Sequence, residues 1–325
     1  MVKGLKVEGA VILVTGAAGF IGSHTAEHLL AAGHRVVGVD NFRSGSRENL
    51  AGAGGHSAFV FREADVAEPG VMASLAAEFS PAAIIHLAAL VSVPESLANP
   101  DLNFRLNVGA THEVAEAARR HGVPRVVFAS SAAVYGDAGA APVAEDACCR
   151  PISPYGAAKL ASESLLLGHA AAYGSVARCQ RYFNVYGPRQ DPASPYSGVI
   201  SIFAREYAAS RAPSLHGDGQ QTRDFISVHD VARANVLAAT RPGLASGVAN
   251  ICTGHPTSLR RLAAVFARHH PQAPAPGSAP ARAGDIRHSV GNPARARAEL
   301  DFAAEWTVED GLKDLIEADS PHARH

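Results

Sequence analysis

Short runs of β-branched and other apolar residues alternate along the first 180 or so residues with Ala- and Leu-rich segments of helical spacing. This alternation predicts strands connected by helices, and therefore parallel strand pairing. We expect strands at residues 11–15, 35–40, 58–62, 83–87, 125–130 and 176–181, and helices near residues 21–32, 70–79, 103–121 and 155–173. The pattern predicts an α/β protein built on a doubly wound parallel sheet.

The rhythm changes after residue 182. Residues 184–198 hold three prolines and no strand pattern, so we expect a ligand-binding loop there. The proline-rich residues 271–280 indicate a linker or surface loop. We predict a dinucleotide-binding domain of residues 1–181 with a return segment at 225–252. Residues 182–224 and 253–325 would form a smaller C-terminal substrate-binding lobe.

Composition narrows the class of protein. Hydrophobic residues make up 47% of the 325 residues and charged residues 18%, which supports a buried core and argues against disorder. The formal net charge of −1 offers no field for nucleic acid. The four cysteines lack C-x-x-C spacing and indicate reduced thiols, and no metal site is predicted. The apolar runs are too short for a leader or a membrane span, so we expect a cytoplasmic protein without a membrane partner.

A glycine-rich turn, T-G-A-A-G-F-I-G, follows the first predicted strand and contains Gly16, Gly19 and Gly22. Glycine lets the backbone approach a pyrophosphate, and a helix N-terminus offers it free N–H groups. A tight structural turn is the alternative interpretation. Asp40 ends the second predicted strand, where its carboxylate could accept hydrogen bonds from ribose hydroxyls and would repel a 2′-phosphate. These features favour a Rossmann-type dinucleotide site that takes NAD rather than NADP.

Two further segments belong to this predicted site. Asp65, in E-A-D-V, is expected either near the adenine or as the cap of the next helix. The small residues of the L-A-A segment at 87–89 follow the fourth strand, where they would let a cofactor lie close.

Candidate acid/base chemistry lies in S-P-Y-G-A-A-K, which places Tyr155 and Lys159 four residues apart and so on one helix face. A nearby ammonium favours the phenolate, so we expect Lys159 to lower the pKa of Tyr155 towards neutrality. An incidental pair on a solvated helix is the alternative. The upstream glycine turn and Ser131, at the end of the fifth strand, favour the catalytic interpretation. Asn107 is either a polar residue inside a helix or a support for the Tyr155 helix through backbone bonds.

These motifs, in this order and followed by R-Y-F-N-V-Y-G-P-R, resemble the extended short-chain dehydrogenase/reductase superfamily over nearly the whole chain. Within it the chain resembles the NAD-dependent nucleotide-sugar epimerases and dehydratases, and most of all the 4-epimerases of UDP-glucose and UDP-N-acetylglucosamine. The resemblance implies bound NAD, a UDP-sugar substrate, a homodimer, and Ser131, Tyr155 and Lys159 as catalytic residues.

The resemblance also implies binding residues. Arg223, Arg282 and Asn184 would hold the diphosphate, because two guanidinium groups and an amide suit that anion. Each arginine could instead form a surface ion pair. Asp285 would lie near the uridine ribose. The cofactor set is Gly16, Gly19, Phe20, Ile21, Gly22, Asp40, Asn41, Asp65, Val66, Leu87, Ala88, Ala89, Asn107, Tyr155, Lys159 and Tyr182. The substrate set is Ser92, Ser131, Asn184, Val199, Arg223, Arg282, Asp285 and Ser289.

Ser289 occupies the family position that walls the pocket near the sugar C2 substituent. Serine leaves room for an N-acetyl group, with which Ser92 could form a hydrogen bond; the alternative is that Ser289 merely occupies a polar loop.

Departures from related patterns narrow the expected reaction. Ala132 and Ala133 stand where 4,6-dehydratases carry an Asp-Glu pair, and uronate decarboxylases usually have a glutamate at the second position. Both reactions are therefore disfavoured. Val91 replaces a lysine found in many galactose epimerases. We expect a UDP-hexose 4-epimerase; the alternatives are another nucleotide-sugar epimerase or reductase, or a non-catalytic NAD-sensing module.

Overall fold

The computed structural model describes residues 9–190, 198–280 and 286–318. Its strands are β1 Val11–Thr15, β2 Arg35–Asp40, β3 Phe59–Glu63, β4 Ala83–His86, β5 Arg125–Ser131, β6 Val176–Tyr182, β7 Asn184–Tyr186, β8 Ser214–His216, β9 Thr222–Ser227, β10 Gly247–Ile251, β11 Pro256–Ser258, β12 Gly277–Ala279 and β13 His288–Ser289. Its α-helices are α1 Phe20–Ala31, α2 Ala51–Gly54, α3 Val71–Phe79, α4 Val93–Ala98, α5 Pro100–Asn103, α6 Ala110–Arg120, α7 Pro154–Tyr173, α8 Val199–Ala208, α9 Val228–Thr240, α10 Leu259–His269, α11 Ala294–Leu300 and α12 Val308–Ala318. Within these ranges we find no helix with the length and apolarity needed to cross a membrane.

Seven strands form one parallel sheet in the order β10-β6-β5-β4-β1-β2-β3. The chain runs outward from β1 to β3 and then returns to β4 on the other side of β1, which is the doubly wound arrangement. The predicted α/β class is confirmed, and each of the six predicted strands lies within one residue of its predicted ends. In such sheets a ligand crevice opens beyond the carboxyl ends of β1 and β4, where the direction of winding reverses.

Alternate side chains of each strand pack against helices on opposite faces of the sheet. Ile12 and Val14 belong to a core with α1, α9 and α11. Leu13, between them, belongs to a second core with α3, α6 and α7. Covering both faces explains why the strands are almost continuously apolar, and it fixes α7 against β5 and β6.

A second sheet is centred on β9, which pairs with β7, β11 and β13. It packs with α8, α10 and α12 around a separate core in which the rings of Tyr207 and Phe266 stack. The expectation of no strand in residues 184–198 is wrong at β7, because three residues are too few to show a period. Likewise β12 lies in the predicted loop at 271–280. The predicted domain boundary at 224/225 falls inside β9.

The helix predicted at 103–121 is interrupted. Helix α5 begins at Pro100, residues Phe104–Gly109 form a π-helical segment, and α6 follows from Ala110. π-Helical turns insert an extra residue and often lie at functional sites. The apolar periodicity does not report this insertion, because the residues on either side keep a helical pattern.

Asp224 joins the second sheet to the first. This β9 residue is fully buried, and its carboxylate accepts hydrogen bonds from the Thr253 N–H (2.8 Å), the Thr253 hydroxyl (2.7 Å) and the Gly254 N–H (2.9 Å). Thr253 and Gly254 follow directly after β10. Burial raises the pKa of Asp224, and these hydrogen bonds oppose the rise. This buried carboxylate therefore ties β9 to the segment that follows β10.

We expect Asp224→Ala to lower the free energy of unfolding by about 3 kcal/mol, because it leaves several buried donors without an acceptor. Asp218→Ala is the control, since Asp218 pairs with Arg287 at the surface. Urea unfolding would measure both variants. Equal loss of stability in the two would contradict the role assigned to Asp224.

Candidate active site

The predicted glycine turn lies between the ends of β1 and β4. Gly16 has φ +71°, and a Cβ on it would lie 2.8 Å from the backbone nitrogen of Ala88. A Cβ on Gly22 would lie 1.9 Å from the Gly16 carbonyl oxygen. Gly19 is the N-cap of α1, and no side chain caps this helix. The turn thus presents the first N–H groups of α1, at Phe20 and Ile21, as an anion-binding helix terminus.

Asp40 lies beside this turn, at the end of β2. Its carboxylate accepts hydrogen bonds from the N–H groups of Ala18 (2.9 Å) and Phe42 (2.8 Å). Burial raises the pKa of Asp40, and the backbone donors oppose that rise. A carboxylate at this position is the group that accepts hydrogen bonds from the adenosine ribose in dinucleotide sites. The neighbouring Asn41 is exposed and accepts a hydrogen bond from the Arg43 N–H at 3.0 Å.

Asp65 follows β3 and forms a local turn by accepting the Ala67 N–H at 2.9 Å. Helix α3 is capped instead by Gly70, so the alternative that Asp65 caps the next helix is wrong. The side chain of Val66 is 5% exposed and packs in the core on the α3 side of the sheet.

The segment after β4 is held by Thr15. Its hydroxyl oxygen accepts the N–H groups of Leu87 and Ala88, each at 3.2 Å. With its acceptor positions used, the hydroxyl donates to Nδ1 of His86 at 2.8 Å. Burial lowers the pKa of His86 to about 3, so this ring is neutral. Its Nε2 has no hydrogen-bond partner among the described residues. Leu87, Ala88 and Ala89 are half-buried.

The start of α7 is fixed by side chains from two other helices. Ser96 of α4 accepts the Tyr155 N–H at 3.2 Å, and Asn103 of α5 donates to the Pro154 carbonyl at 3.1 Å. Ser153 caps the helix by accepting the Gly156 N–H at 3.1 Å. These contacts orient the first turn of α7, which carries Tyr155.

Gly156 lets α7 approach the segment that follows β5. A Cβ at this position would lie 2.6 Å from the Ala133 carbonyl oxygen. Ala133 belongs to the 3₁₀ turn Ala132–Val134, whose N-cap is Ser131. The close approach brings Ser131 near Tyr155, close enough for its hydroxyl to favour the phenolate form.

Lys159 completes the predicted catalytic group. It is 3% exposed, and its Nζ lies 5.8 Å from the centre of the Tyr155 ring and 4.9 Å from that of Phe128. Ser131, Tyr155 and Lys159 are therefore brought to one place at the carboxyl edge of the sheet, as the sequence predicts.

The electrostatics of the pair differ from the expectation. Burial raises the pKa of Tyr155, and the nearby Ser131 hydroxyl only opposes the rise. Burial lowers the pKa of Lys159 to about 7, with Glu163 opposing. The predicted net fall of the Tyr155 pKa towards neutrality is wrong for this structure, because burial disfavours the charged form of both groups and outweighs the attraction between ammonium and phenolate.

Glu163 was not recognised in the sequence, although it follows Lys159 at the same four-residue interval. Its carboxylate is 2% exposed and accepts two hydrogen bonds from Arg181, at 2.9 Å and 2.7 Å. It also accepts the hydroxyl of Ser130. The repeated four-residue interval indicates that Glu163 shares a helix face with Tyr155 and Lys159. Its partners Ser130 and Arg181 become apparent only in the folded structure.

Asn107 lies in the π-helical segment and supports the loop after β4. Its side chain accepts the Leu90 N–H at 3.1 Å and donates to the Leu90 carbonyl at 3.0 Å. Its own carbonyl accepts the hydroxyl of Ser162 on α7 at 3.3 Å. Both interpretations given above therefore hold in part.

Three predicted substrate residues lie on adjacent strands of the second sheet. Asn184 is on β7, Arg223 on β9 and Ser289 on β13, with Ser289 opposite Arg223. Asn184 donates to the Asp224 carbonyl at 3.2 Å. Ser289 lines a small cavity together with Ala132, Tyr135 and Phe183.

Other predicted residues have structural roles or lie elsewhere. Ser92 is 2% exposed and caps α4 by accepting the Glu95 N–H at 2.9 Å. The Tyr182 side chain packs in the core, where its hydroxyl donates to Asn235 of α9 at 2.6 Å. Val199 begins α8 and packs against the separate core of the second sheet. Arg282 and Asp285 lie outside the described residues.

Comparison with known proteins identifies relatives that share most of the chain. Residues 12–252 match the model of the NAD-dependent epimerase/dehydratase family. A UDP-glucose 4-epimerase of Mycolicibacterium smegmatis is 40% identical over 306 residues, which cover 94% of this chain and 97% of the relative.

Solved structures agree over similar lengths. The UDP-N-acetylglucosamine 4-epimerase of Methanobrevibacter ruminantium, in complex with UDP-N-acetylmuramic acid, superposes with a TM-score of 0.90 at 32% identity, covering 95% of this chain and 98% of its own. The UDP-glucose 4-epimerase of Thermus thermophilus, in complex with NAD, gives 0.85 at 34% identity, with 94% and 98% covered.

We expect Gly156→Ala to lower the free energy of unfolding by about 1–3 kcal/mol, because the added methyl overpacks the contact with Ala133. Gly168→Ala is the matched control on the same helix, since nothing lies within 4 Å of its added Cβ. That variant should gain up to about 1 kcal/mol from helix propensity. Urea unfolding of both variants is the measurement, and a stabilised Gly156→Ala would contradict the close approach.

Proposed function

The chain belongs to the NAD-dependent epimerase/dehydratase family, and on that basis we propose that it is a UDP-hexose 4-epimerase. The observation that carries the proposal is the convergence of Ser131, Tyr155 and Lys159 beside the glycine turn. This arrangement combines an acid/base group with a place for a dinucleotide.

The family's cofactor is NAD, and the residues of this chain fit it. The uncapped start of α1 suits a pyrophosphate, and the carboxylate of Asp40 at the end of β2 suits the adenosine ribose. The small residues Ala88 and Ala89 leave the backbone after β4 accessible. NAD bound there would supply the hydride acceptor for C4 of the sugar, and return of the hydride would regenerate the cofactor in each turnover.

Tyr155 is the proposed acid and base. As phenolate it takes the proton of the 4-hydroxyl while C4 loses its hydride, and as phenol it later returns that proton to the 4-keto sugar. Ser131 lies near Tyr155, and its hydroxyl would bond the same substrate oxygen. Lys159, as an ammonium, stabilises the phenolate.

The second sheet is proposed to hold the nucleotide. Arg223 and Asn184, on adjacent strands, would bind the diphosphate with Arg282, and Asp285 would meet the uridine ribose. While the diphosphate is held there, the 4-keto sugar can rotate about its bond to the diphosphate and present its other face to the hydride donor. In this division residues 1–181 and 225–252 bind NAD, and residues 182–224 and 253–325 bind the UDP-sugar.

Ala132 and Ala133 argue against the dehydratases of the same family. They form the 3₁₀ turn beside Ser131, where an elimination would need a further acid and base. Two alanines provide neither.

The test is incubation with a panel of UDP-sugars and separation of the products, without added reductant. We expect interconversion of C4 epimers, and a loss of at least about 100-fold in turnover in Tyr155→Phe, because it removes the acid/base group. Tyr173→Phe is the control, since Tyr173 lies at the far end of α7 and is 58% exposed. Near-normal turnover by a folded Tyr155→Phe would remove Tyr155 from its role, and net consumption of reduced nicotinamide would indicate a reductase.

Ser289 is proposed to set the sugar preference. Ser289 lines a small cavity with Ala132 and Phe183, and a serine there restricts the space near the sugar less than a tyrosine would. We expect UDP-N-acetylglucosamine and UDP-N-acetylgalactosamine to interconvert, and Ser289→Tyr to lose this activity selectively over the glucose and galactose pair. Ser278→Tyr, on exposed β12, is the control. Equal loss for both substrate pairs, or no acetylated activity in the parent protein, would remove this proposal.

A further inference from the structure

One buried carboxylate connects α7 and β5, which carry the proposed reacting groups, with the neighbouring strand β6. Glu163 lies on α7 one turn after Lys159 and is 2% exposed. It accepts the hydroxyl of Ser130 on β5, the residue before Ser131. It also accepts a two-pronged hydrogen bond from Arg181 on β6, at 2.9 Å and 2.7 Å. Hydrogen bonds from β5 and β6 therefore fix the position of the Glu163 carboxylate.

Among the described residues around Lys159, Glu163 is the group that supplies negative charge. From β4, the neutral ring of His86 faces it. From β5, the ring of Phe128 lies beneath its Nζ at 4.9 Å. From β6, Arg181 pairs with Glu163, and burial keeps the thiol of Cys179 protonated by raising its pKa. Ser96 and Asn107, which α4 and the π-helical segment place against α7, are uncharged.

Tyr155 and Lys159 titrate as a pair, since each changes the charge that the other meets. When the pair has lost one proton, two forms exist. One is a phenol beside a neutral amine, and the other is a phenolate beside an ammonium. Only the second can take a proton from a sugar hydroxyl. Burial favours the first form, because it disfavours both charges.

We propose that Glu163 is a positioning residue that keeps the remaining proton on Lys159, so that Tyr155 becomes the phenolate. Its fixed carboxylate stabilises the ammonium of Lys159 without contacting the substrate. This inference rests on the proposed function, because it assigns Tyr155 as the base of that reaction.

The direction of the effect distinguishes this role from a direct one. A negative charge acting straight on Tyr155 would disfavour the phenolate, so its removal would make Tyr155 more acidic. A charge acting through Lys159 has the opposite result, because Tyr155 becomes less acidic when Lys159 loses its proton more easily. The sign of one titration therefore decides between them.

The test is an ultraviolet titration of the phenolate in the purified protein with its bound cofactor. Subtracting the same titration of Tyr155→Phe isolates Tyr155 from the other tyrosines. In Glu163→Gln the acid dissociation constant of Tyr155 should fall by roughly tenfold, as expected when a charge is removed from an adjacent helical turn. The acidic limb of the pH profile of kcat should move to higher pH with it.

Two further variants separate charge from packing. Glu163→Gln with Arg181→Met removes both members of the buried ion pair, which avoids leaving an unpaired guanidinium and keeps the test available if the single variant does not fold. It should give a fall in the same direction but a smaller one, because the positive charge of Arg181, which opposes the Lys159 ammonium, is removed together with the carboxylate. Ser130→Ala removes a hydrogen bond to Glu163 but leaves its charge, and should change the constant less than about threefold.

An unchanged or increased acid dissociation constant in the Glu163 variants would overturn the proposal. An equal fall in Ser130→Ala would also overturn it, because the effect would then come from packing alone. Failure of the wild-type protein to turn over any UDP-sugar would contradict the proposed function without altering the titration, so the two failures can be told apart.

Discussion

Removing an ammonium group from water costs several kcal/mol unless other groups replace its hydration. Lys159 is 3% exposed, and its surroundings show how this cost is met. The face of Phe128 lies beneath the Nζ, and the carboxylate of Glu163 lies one helical turn away. Because that compensation is partial, the pKa of Lys159 falls to about 7. The contacts described around the site position Lys159 and Tyr155.

Parallel strand pairing is what gathers the groups. Ser131 and Tyr182 are register partners at the ends of β5 and β6, and the preceding pair is Ser130 and Arg181. Each strand contributes alternate residues to opposite sides, so Arg181 reaches Glu163 while Tyr182 packs among α1 and α9 residues. The carboxyl ends of β5 and β6 therefore provide the polar contacts of Glu163 on the α7 side of the sheet and the apolar contacts of Tyr182 on the opposite side.

Much of this arrangement could be predicted from the sequence where local chemistry dictates local structure. The β-branched runs predicted β1 to β6, and the glycine spacing predicted the turn before α1. The role of Ser96 could not be predicted, because it depends on α4 lying against α7. The raised pKa of Tyr155 was missed for a related reason, since burial is a property of the assembled protein. The three-residue strand β7 had too few positions to show a pattern.

The hydroxyl of Thr15 determines which ring nitrogen of His86 carries the proton. Since it accepts two backbone N–H groups, its single hydrogen goes to Nδ1 of His86, which fixes the tautomer with the proton on Nε2. With a pKa of about 3, this imidazole holds the same proton count throughout the range in which enzymes work. Histidine is the usual titrating group near neutrality, yet here it is a fixed dipole. The acid–base behaviour of the crevice is left to a phenol and an amine that exchange a single hydrogen ion.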